Sequence, residues 1–420
     1  MKLEDVDLLD LDRFWRREHD EMFSLLREEA PVFWHEEPDG PGFWNIAKHD
    51  DLVQTNRDPV LFSSEVGGIS RFDFDPETNA GGMDTRGIML LTTDPPKHTR
   101  YRRLVNKGFT PRMISKLEEA LRYRATDIVN QVIERGECDF VVDLASELPL
   151  QAIAQIMGVP QEDRYKLFDW SNRMIGIDDP EYANEDSAVA SMELYAFANN
   201  LAKERANEPK DDIVTLLVNA TIGEDRLTEI EFDAFMLLLT VAGNETTRNA
   251  TSGGMLGLLQ HPEEMAKLRE DIDGRLDTAM DEVLRWSTPV MHFRRTATED
   301  TEIRGQKIAK GDKVLMWHVS ANRDEEVFDD PFKFDIERNP NEHISFGGGG
   351  AHYCLGANLA RAELRIIFRE MLSRMDDIQL AGEPDFLRSN FIQGIKHLPI
   401  TFTPGERKAP AEAALVGASA

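Results

Sequence analysis

The 420-residue sequence predicts a mostly α-helical protein with a minor share of short strands. Two observations carry that expectation. At Thr228 a capping box, Thr228-Glu229-Ile230-Glu231, opens a helical pattern that runs to about Leu259 before His261-Pro262 ends it. Residues 111 to 225 also read as mostly helical, with breaks at Gly158-Val159-Pro160, Asp178-Asp179-Pro180 and Glu208-Pro209. Strand-like stretches are few and short: Val32 to Trp34, Phe43 to Ile46, Thr301 to Ile308, Val314 to His318, and a late hairpin over Phe391 to Pro399.

The chain is 41% hydrophobic and 30% charged, ample for a large buried core. A net charge of −29 argues against nucleic acid and against docking on an anionic membrane. No run of about 20 apolar residues occurs, and Met1 to Asp12 is acidic rather than signal-like, so a soluble, cytoplasmic protein is expected. The two cysteines, Cys138 and Cys354, imply no disulfide framework. Cys138 lies in a turn entering an apolar segment and reads as structural filler.

Near the N-terminus a short helix is expected over Phe14 to Glu29, closed by Pro31. Glu65 to Met89 is rich in Gly, Asp and Asn, a long loop of the kind that is more often functional than decorative. Pro95 and Pro96 start the next helix, on which His98 and Arg102 share a face while Arg100 and Arg103 point elsewhere.

Phe346 to Gly356 contains four consecutive glycines and ends in Cys354. Leu355, Leu359, Leu364, Ile367 and Phe368 then follow at helical spacing, which places the thiol at a helix start, where N–H groups and the dipole favour a thiolate. Such a sulfur suits a haem iron. Taken alone, the stretch also fits a structural cysteine beside a glycine turn. A phosphate loop would want a Lys-Ser/Thr pair, and zinc would want paired ligands. On the long helix, Phe232, Phe235, Leu239, Ala242, Thr246 and Ala250 share one face. Gly243 in its middle costs about 1 kcal/mol relative to alanine, and Thr246 can bond back to the carbonyl of residue 242. Together they make a notch fit for a diatomic ligand and a water.

Phe-Gly-Gly-Gly-Gly-Ala-His-Tyr-Cys-Leu-Gly over 346–356 resembles the haem-binding loop of the cytochromes P-450, with one residue more between Phe346 and Cys354 than the commonest form. The longer form is similar to a bacterial branch acting on steroid side chains and branched lipids. Ala242-Gly243-Asn244-Glu245-Thr246-Thr247 matches the family's oxygen-activation motif, and Glu282-Val283-Leu284-Arg285 its Glu-x-x-Arg motif. The resemblance spans about residues 10 to 404.

This resemblance implies a single cytochrome P-450 domain over 1–404, triangular and helix-rich with small β-sheets, and a disordered Ala-rich tail over 405–420. Haem b would lie between the long helix and the helix after Cys354. Cys354 would bind the iron, and His98, Arg102, Arg295 (beside Arg294) and His352 the propionates, with Phe346 and Gly347 in the loop. Glu245 and Thr246, with Ala242 and Gly243, would serve oxygen and its protons. Glu282 and Arg285, completed by Arg338, would form a buried charge lock. Val290, Met291, Phe293, Leu239 and Phe391 would line an apolar pocket under the 65–89 loop.

The implied activity is insertion of one atom of O2 into a C–H bond of a sterol side chain, branched lipid or terpenoid. No flavin or nicotinamide fingerprint occurs, so electrons are expected from a separate ferredoxin with an NAD(P)H-dependent reductase. Arg100, Arg103, Arg361 and Arg365 are the expected docking surface, on a monomeric enzyme. A peroxide-driven hydroxylase or decarboxylase is disfavoured by the intact Glu245-Thr246 pair. A non-catalytic gas-binding haem protein lacks any attached signalling segment.

Overall fold

The capping box forms as the sequence expects. Thr228 Oγ1 accepts from the Glu231 N–H at 3.2 Å, and the Glu231 carboxylate accepts from the Thr228 N–H at 2.9 Å. The helix it opens has 32 residues and spans about 48 Å. The computed structural model describes residues 1–38, 40–73, 84–176, 178–182, 187–220 and 226–409.

The chain begins with α1 (Leu11–Trp15) and α2 (His19–Glu29). They replace the one helix expected over Phe14 to Glu29, because Arg17 takes a left-handed φ of 63° that no continuous α-helix allows. Strands β1 (Val32–His35) and β2 (Phe43–Ile46) are followed by α3 (His49–Arg57) and β3 (Phe62–Ser63). Next come α4 (Lys97–Val105), α5 (Pro111–Val132), β4 (Glu137–Asp139) and α6 (Glu147–Met157). Helices α7 (Arg164–Ile175), α8 (Ser187–Asn207) and α9 (Ile213–Val218) lead to the long helix α10 (Glu229–Gln260). After α11 (Pro262–Glu270) and α12 (Ile272–Ser287) the chain turns to β5 (His292–Ala297), β6 (Thr301–Ile303), β7 (Gln306–Ile308), β8 (Lys313–Trp317) and α13 (His318–Ala321). It ends with α14 (Ala357–Leu372), β9 (Asp376–Leu380), β10 (Asp385–Phe386), β11 (Ile395–His397) and β12 (Pro399–Thr403).

A five-stranded sheet of order β1-β2-β8-β5-β3 flanks the helices, with β2 and β8 parallel and the other pairs antiparallel. The expected strand over Thr301 to Ile308 is a hairpin instead, turning at Arg304 and Gly305, both at positive φ. The expected hairpin over Phe391 to Pro399 also divides: β11 pairs with β10, and β12 joins a sheet with β4 and β9. In β4, Cys138 is half-buried against the core, and burial pushes its thiol up to about 12, which suits a structural role. Of the expected 65–89 loop, residues 74–83 lie outside the described residues, as do residues 410–420 of the expected tail.

Helix α10 is buried over most of its length and packs against α6, α7, α8, α12 and α14, so it is the axis of the helical layer. Gly243 is required there by close packing. A Cβ on it would lie 2.7 Å from Ile153 Cδ1 of α6.

The Glu282–Arg285 pair forms on α12 with neither residue exposed. Arg285 gives two hydrogen bonds of 2.7 Å to the Glu282 carboxylate and further ones to the carbonyls of Asn322, Pro331 and Lys333. Glu282 also accepts from the Asp335 N–H at 2.9 Å and from Asn341 Nδ2 at 3.1 Å. Arg338 Nε lies 3.2 Å from Glu282 as an ion pair, while its outer nitrogens bond the carbonyls of Asp329, Asp330 and Lys333. Every donor of Arg285 is thereby satisfied, and the 322–338 segment is tied to α12. Substituting Glu282→Gln leaves a buried guanidinium uncompensated and is expected to cost about 3–5 kcal/mol in chemical denaturation. A loss within about 0.5 kcal/mol would contradict the lock.

Two buried histidines make the fold sensitive to acid. His19 stacks on Phe14 with ring centroids 5.2 Å apart, and His292 Nδ1 lies 3.0 Å from the Asn390 carbonyl. Burial lowers both from 6.5 to about 4. The unfolded chain therefore takes up protons first as pH falls. The stability these residues contribute is complete above about 6.5 and is lost on the way down to about 4. The denaturation midpoint should fall across that window, and His19→Phe should flatten the slope. An unchanged slope in that variant would contradict the assignment.

Candidate active site

Gly347, Gly348, Gly349 and Gly350 all have φ between 63° and 102°, a run that only glycine sustains without strain. The loop closes on itself through Gly347 N–H to the Ile344 carbonyl at 2.7 Å and Cys354 N–H to the Phe346 carbonyl at 3.0 Å. Arg361 lies over the Phe346 ring, 4.6 Å from its centroid. Cys354 sits three residues before α14 and lines a cavity that opens to solvent. Burial pushes its thiol up, opposed by the N–H groups of Gly356 and Ala357 and by Arg102 and Arg361. The helix-start N–H groups act in the thiolate's favour, as the sequence expects, but burial acts more strongly against it. A coordinated metal cation yields the thiolate, because it deprotonates the thiol outright.

Across the cavity from the loop runs α10, which contributes Leu239, Ala242, Gly243 and Thr246 to the lining. Val290 and Phe293 also line it, as the sequence expects. Met291 and Phe391 do not. Met291 donates its N–H to the Phe391 carbonyl at 2.8 Å and packs into the core with Leu315 and Trp317. The Phe391 ring stands behind Phe293, with centroids 5.9 Å apart. Sequence reasoning missed Leu90, Leu91, Phe109 and Ile153, which lie in separate segments with no motif to group them. It also missed Glu363 of α14, a lining residue 2% exposed whose Oε2 lacks a hydrogen-bond partner. Burial pushes this carboxyl up to about 8, so it carries its proton at neutral pH.

One edge of the cavity is cationic. His98, Arg102, Arg295 and His352 all line it, and the two imidazoles lie 4.3 Å apart. Arg102 donates to the Ala351 carbonyl at 3.2 Å, and Arg295 to the Arg294 carbonyl at 2.9 Å and to Asn56 Oδ1 at 2.7 Å. Among the described residues neither arginine meets a carboxylate in an ion pair, and buried His98 Nε2 has no partner. Burial lowers Arg295 to about 10 and His98 to about 4. Arg294 is turned the other way, onto Asp73 at 2.7 Å, so Arg295 is the strand's cavity-facing cation. A buried and a partly buried guanidinium, an unpartnered imidazole nitrogen and an open sulfur fit a cofactor that brings anionic groups and a thiolate-binding metal.

On α10, Thr246 Oγ1 donates to the Ala242 carbonyl at 2.9 Å, the back-bond the sequence predicts. Glu245 does not reach the cavity. It is 1% exposed, binds Arg248 of its own helix, and its other oxygen accepts from Ser171 Oγ of α7 at 3.5 Å. Arg248 is held in turn by Asn172 Oδ1 at 2.9 Å.

Residues 150–389 match the family model for cytochrome P-450. Mycolicibacterium smegmatis steroid C26-monooxygenase is 44% identical over 95% of this chain and 94% of its own length. The methyl-branched lipid omega-hydroxylase of Mycobacterium bovis is 43% identical over 95% of both chains. A Mycobacterium marinum cytochrome P-450 solved with pseudoionone superposes with a TM-score of 0.86 at 39% identity, covering 93% of this chain and 96% of that one. The chain belongs to the cytochrome P-450 family. As a cytochrome P-450 it is a monooxygenase that binds haem b by thiolate-ligated iron, and it uses O2 and a redox partner. Among the described residues no helix is long and apolar enough to cross a membrane.

The arginines expected to receive that partner are not a free cationic patch on this cytochrome P-450. Arg361 binds Asp281 at 2.9 Å, Arg365 binds Asp277 at 3.0 Å, and Arg369 binds Asp273, a ladder between α14 and α12. Arg100 lies 3.8 Å from Glu231. Arg103 stands exposed on α4.

Proposed function

We propose that this cytochrome P-450 hydroxylates the end of an apolar chain, on a sterol side chain or a methyl-branched lipid. The observation that carries this reading is the makeup of the cavity wall beyond the cofactor edge. There Leu90, Leu91, Phe109, Leu238, Val290 and Phe293 offer a substrate no hydrogen-bond partner. A polar group entering first would lose its water without compensation, so the apolar end leads. Both curated relatives, a steroid C26-monooxygenase and a methyl-branched lipid omega-hydroxylase, carry names consistent with such substrates.

In this reading Cys354 supplies the sulfur ligand of the haem iron, and His98, Arg102, Arg295 and His352 hold the propionates. Phe346 and Gly347 shape the loop around the sulfur. When bound, the haem supplies O2 activation and insertion of one oxygen atom into a C–H bond. Thr246 lines the cavity beside Ala242 and Gly243, where its hydroxyl can accept a hydrogen bond, and it can donate one only by releasing the Ala242 carbonyl. Glu245 holds a proton-transfer site outside the cavity, and its carboxylate must leave Arg248 and turn about χ1 to deliver a proton inward. Electrons come from a ferredoxin served by an NAD(P)H-dependent reductase. Docking centres on exposed Arg103 rather than on the paired α14 arginines.

The test is titration of the ferric enzyme with a full-length-side-chain sterol, a methyl-branched fatty acid and a monoterpenoid, followed by product analysis. The sterol or branched acid should convert the haem to high spin and yield a terminal alcohol. Oxidation only at ring carbons, or turnover of the terpenoid alone, would contradict the reading.

A further inference from the structure

Asn56 lies in the last turn of α3, 3% exposed, and lines the cavity. Its Nδ2 donates to the carbonyls of Gly347 and Gly349, the second at 3.1 Å. Its Oδ1 accepts from Arg295 Nη2 at 2.7 Å. One carboxamide thus bonds both to the loop that carries Cys354 and to the buried guanidinium of β5. Backbone contact reinforces the junction, since a Cβ on Gly350 would lie 2.7 Å from the Asn56 carbonyl oxygen.

Both clients of this amide need it. Four successive glycines give the loop little stiffness of its own, and Asn56 bonds two of their four carbonyls. Arg295 has two side-chain hydrogen bonds, one to its neighbour's carbonyl and one to Asn56, and the rest of its charge faces the cavity. The carboxamide donates from one end and accepts at the other in a single plane. Aspartate would turn both donations into repulsions between oxygens, and leucine would lose all three bonds.

We propose that Asn56 is a positioning residue for the haem, coupling the seat of the Cys354 loop to the orientation of Arg295. A haem held by sulfur at its iron and by cations at its propionates needs those two supports at a fixed separation, and Asn56 sets it. The inference rests on Cys354 and Arg295 as haem contacts, the reading given above.

The experiment compares wild type, Asn56→Ala, Asn56→Ser, Arg295→Lys and the Asn56→Ala/Arg295→Lys double variant as holoproteins. Two quantities are read: the share of the ferrous carbon monoxide complex with the red-shifted thiolate-type band, and the rate of haem transfer to excess apomyoglobin. Asn56→Ala should lower that share and speed transfer roughly tenfold, the loss of about one charge-assisted hydrogen bond, with Asn56→Ser between it and wild type. The double variant should lose less than the product of the two single effects, because both singles break the same Asn56–Arg295 hydrogen bond. Should the alanine protein fail to load haem, the serine protein still gives both readings. Wild-type values in Asn56→Ala and Asn56→Ser, or effects that multiply in the double variant, would overturn the coupling. A wild type without the thiolate-type band would instead overturn the ligand reading beneath it.

Discussion

One edge of the central cavity carries positive charge that no carboxylate meets in an ion pair among the described residues, on buried Arg295 and partly buried Arg102. Both arginines face this cavity, with the unpartnered Nε2 of His98 between the same walls. Desolvating a guanidinium without an anion costs several kcal/mol, so an anionic guest beside Arg295 is favoured. In the proposed reading, haem b would bring its propionates to these cations and its iron to the sulfur of Cys354. Burial pushes that sulfur toward the thiol form, and a bound metal cation would reverse this.

The rest of the architecture holds those supports still. The Glu282–Arg285 lock ties the chain after β8 to α12, and from there the backbone enters the loop that ends at Cys354. The sheet places Arg295 and Arg294 on opposite sides of β5, one toward the cavity and one toward the 65–73 segment through Asp73. Helix α10 supplies the opposite wall, pressed so closely on α6 at Gly243 that a side chain there would collide with Ile153.

What could be read from the sequence was whatever a local backbone demands. Four adjacent glycines announce positive φ angles, a capping box announces a helix start, and a threonine four residues after Ala242 announces its back-bond. Each of these needs only near neighbours along the chain. What escaped depends on partners remote in sequence. The α14 arginines looked available because Asp273, Asp277 and Asp281 lie on another helix at matching four-residue steps. Met291 and Phe391 looked like pocket residues because an apolar side chain does not declare which apolar space it fills. Glu245 carries the family motif, yet Arg248 and Ser171 decide where its carboxylate points. Asn56 and Glu363 belong to no motif, and only the fold brings them to the cofactor cavity.

The most direct measurement is the carbon monoxide difference spectrum of the dithionite-reduced protein, recorded for wild type and for Cys354→Ser. A strongly red-shifted Soret band in wild type, lost in the variant, is the predicted result and identifies Cys354 as the thiolate ligand. An imidazole-like band in wild type, or a red-shifted band that survives the substitution, would contradict it.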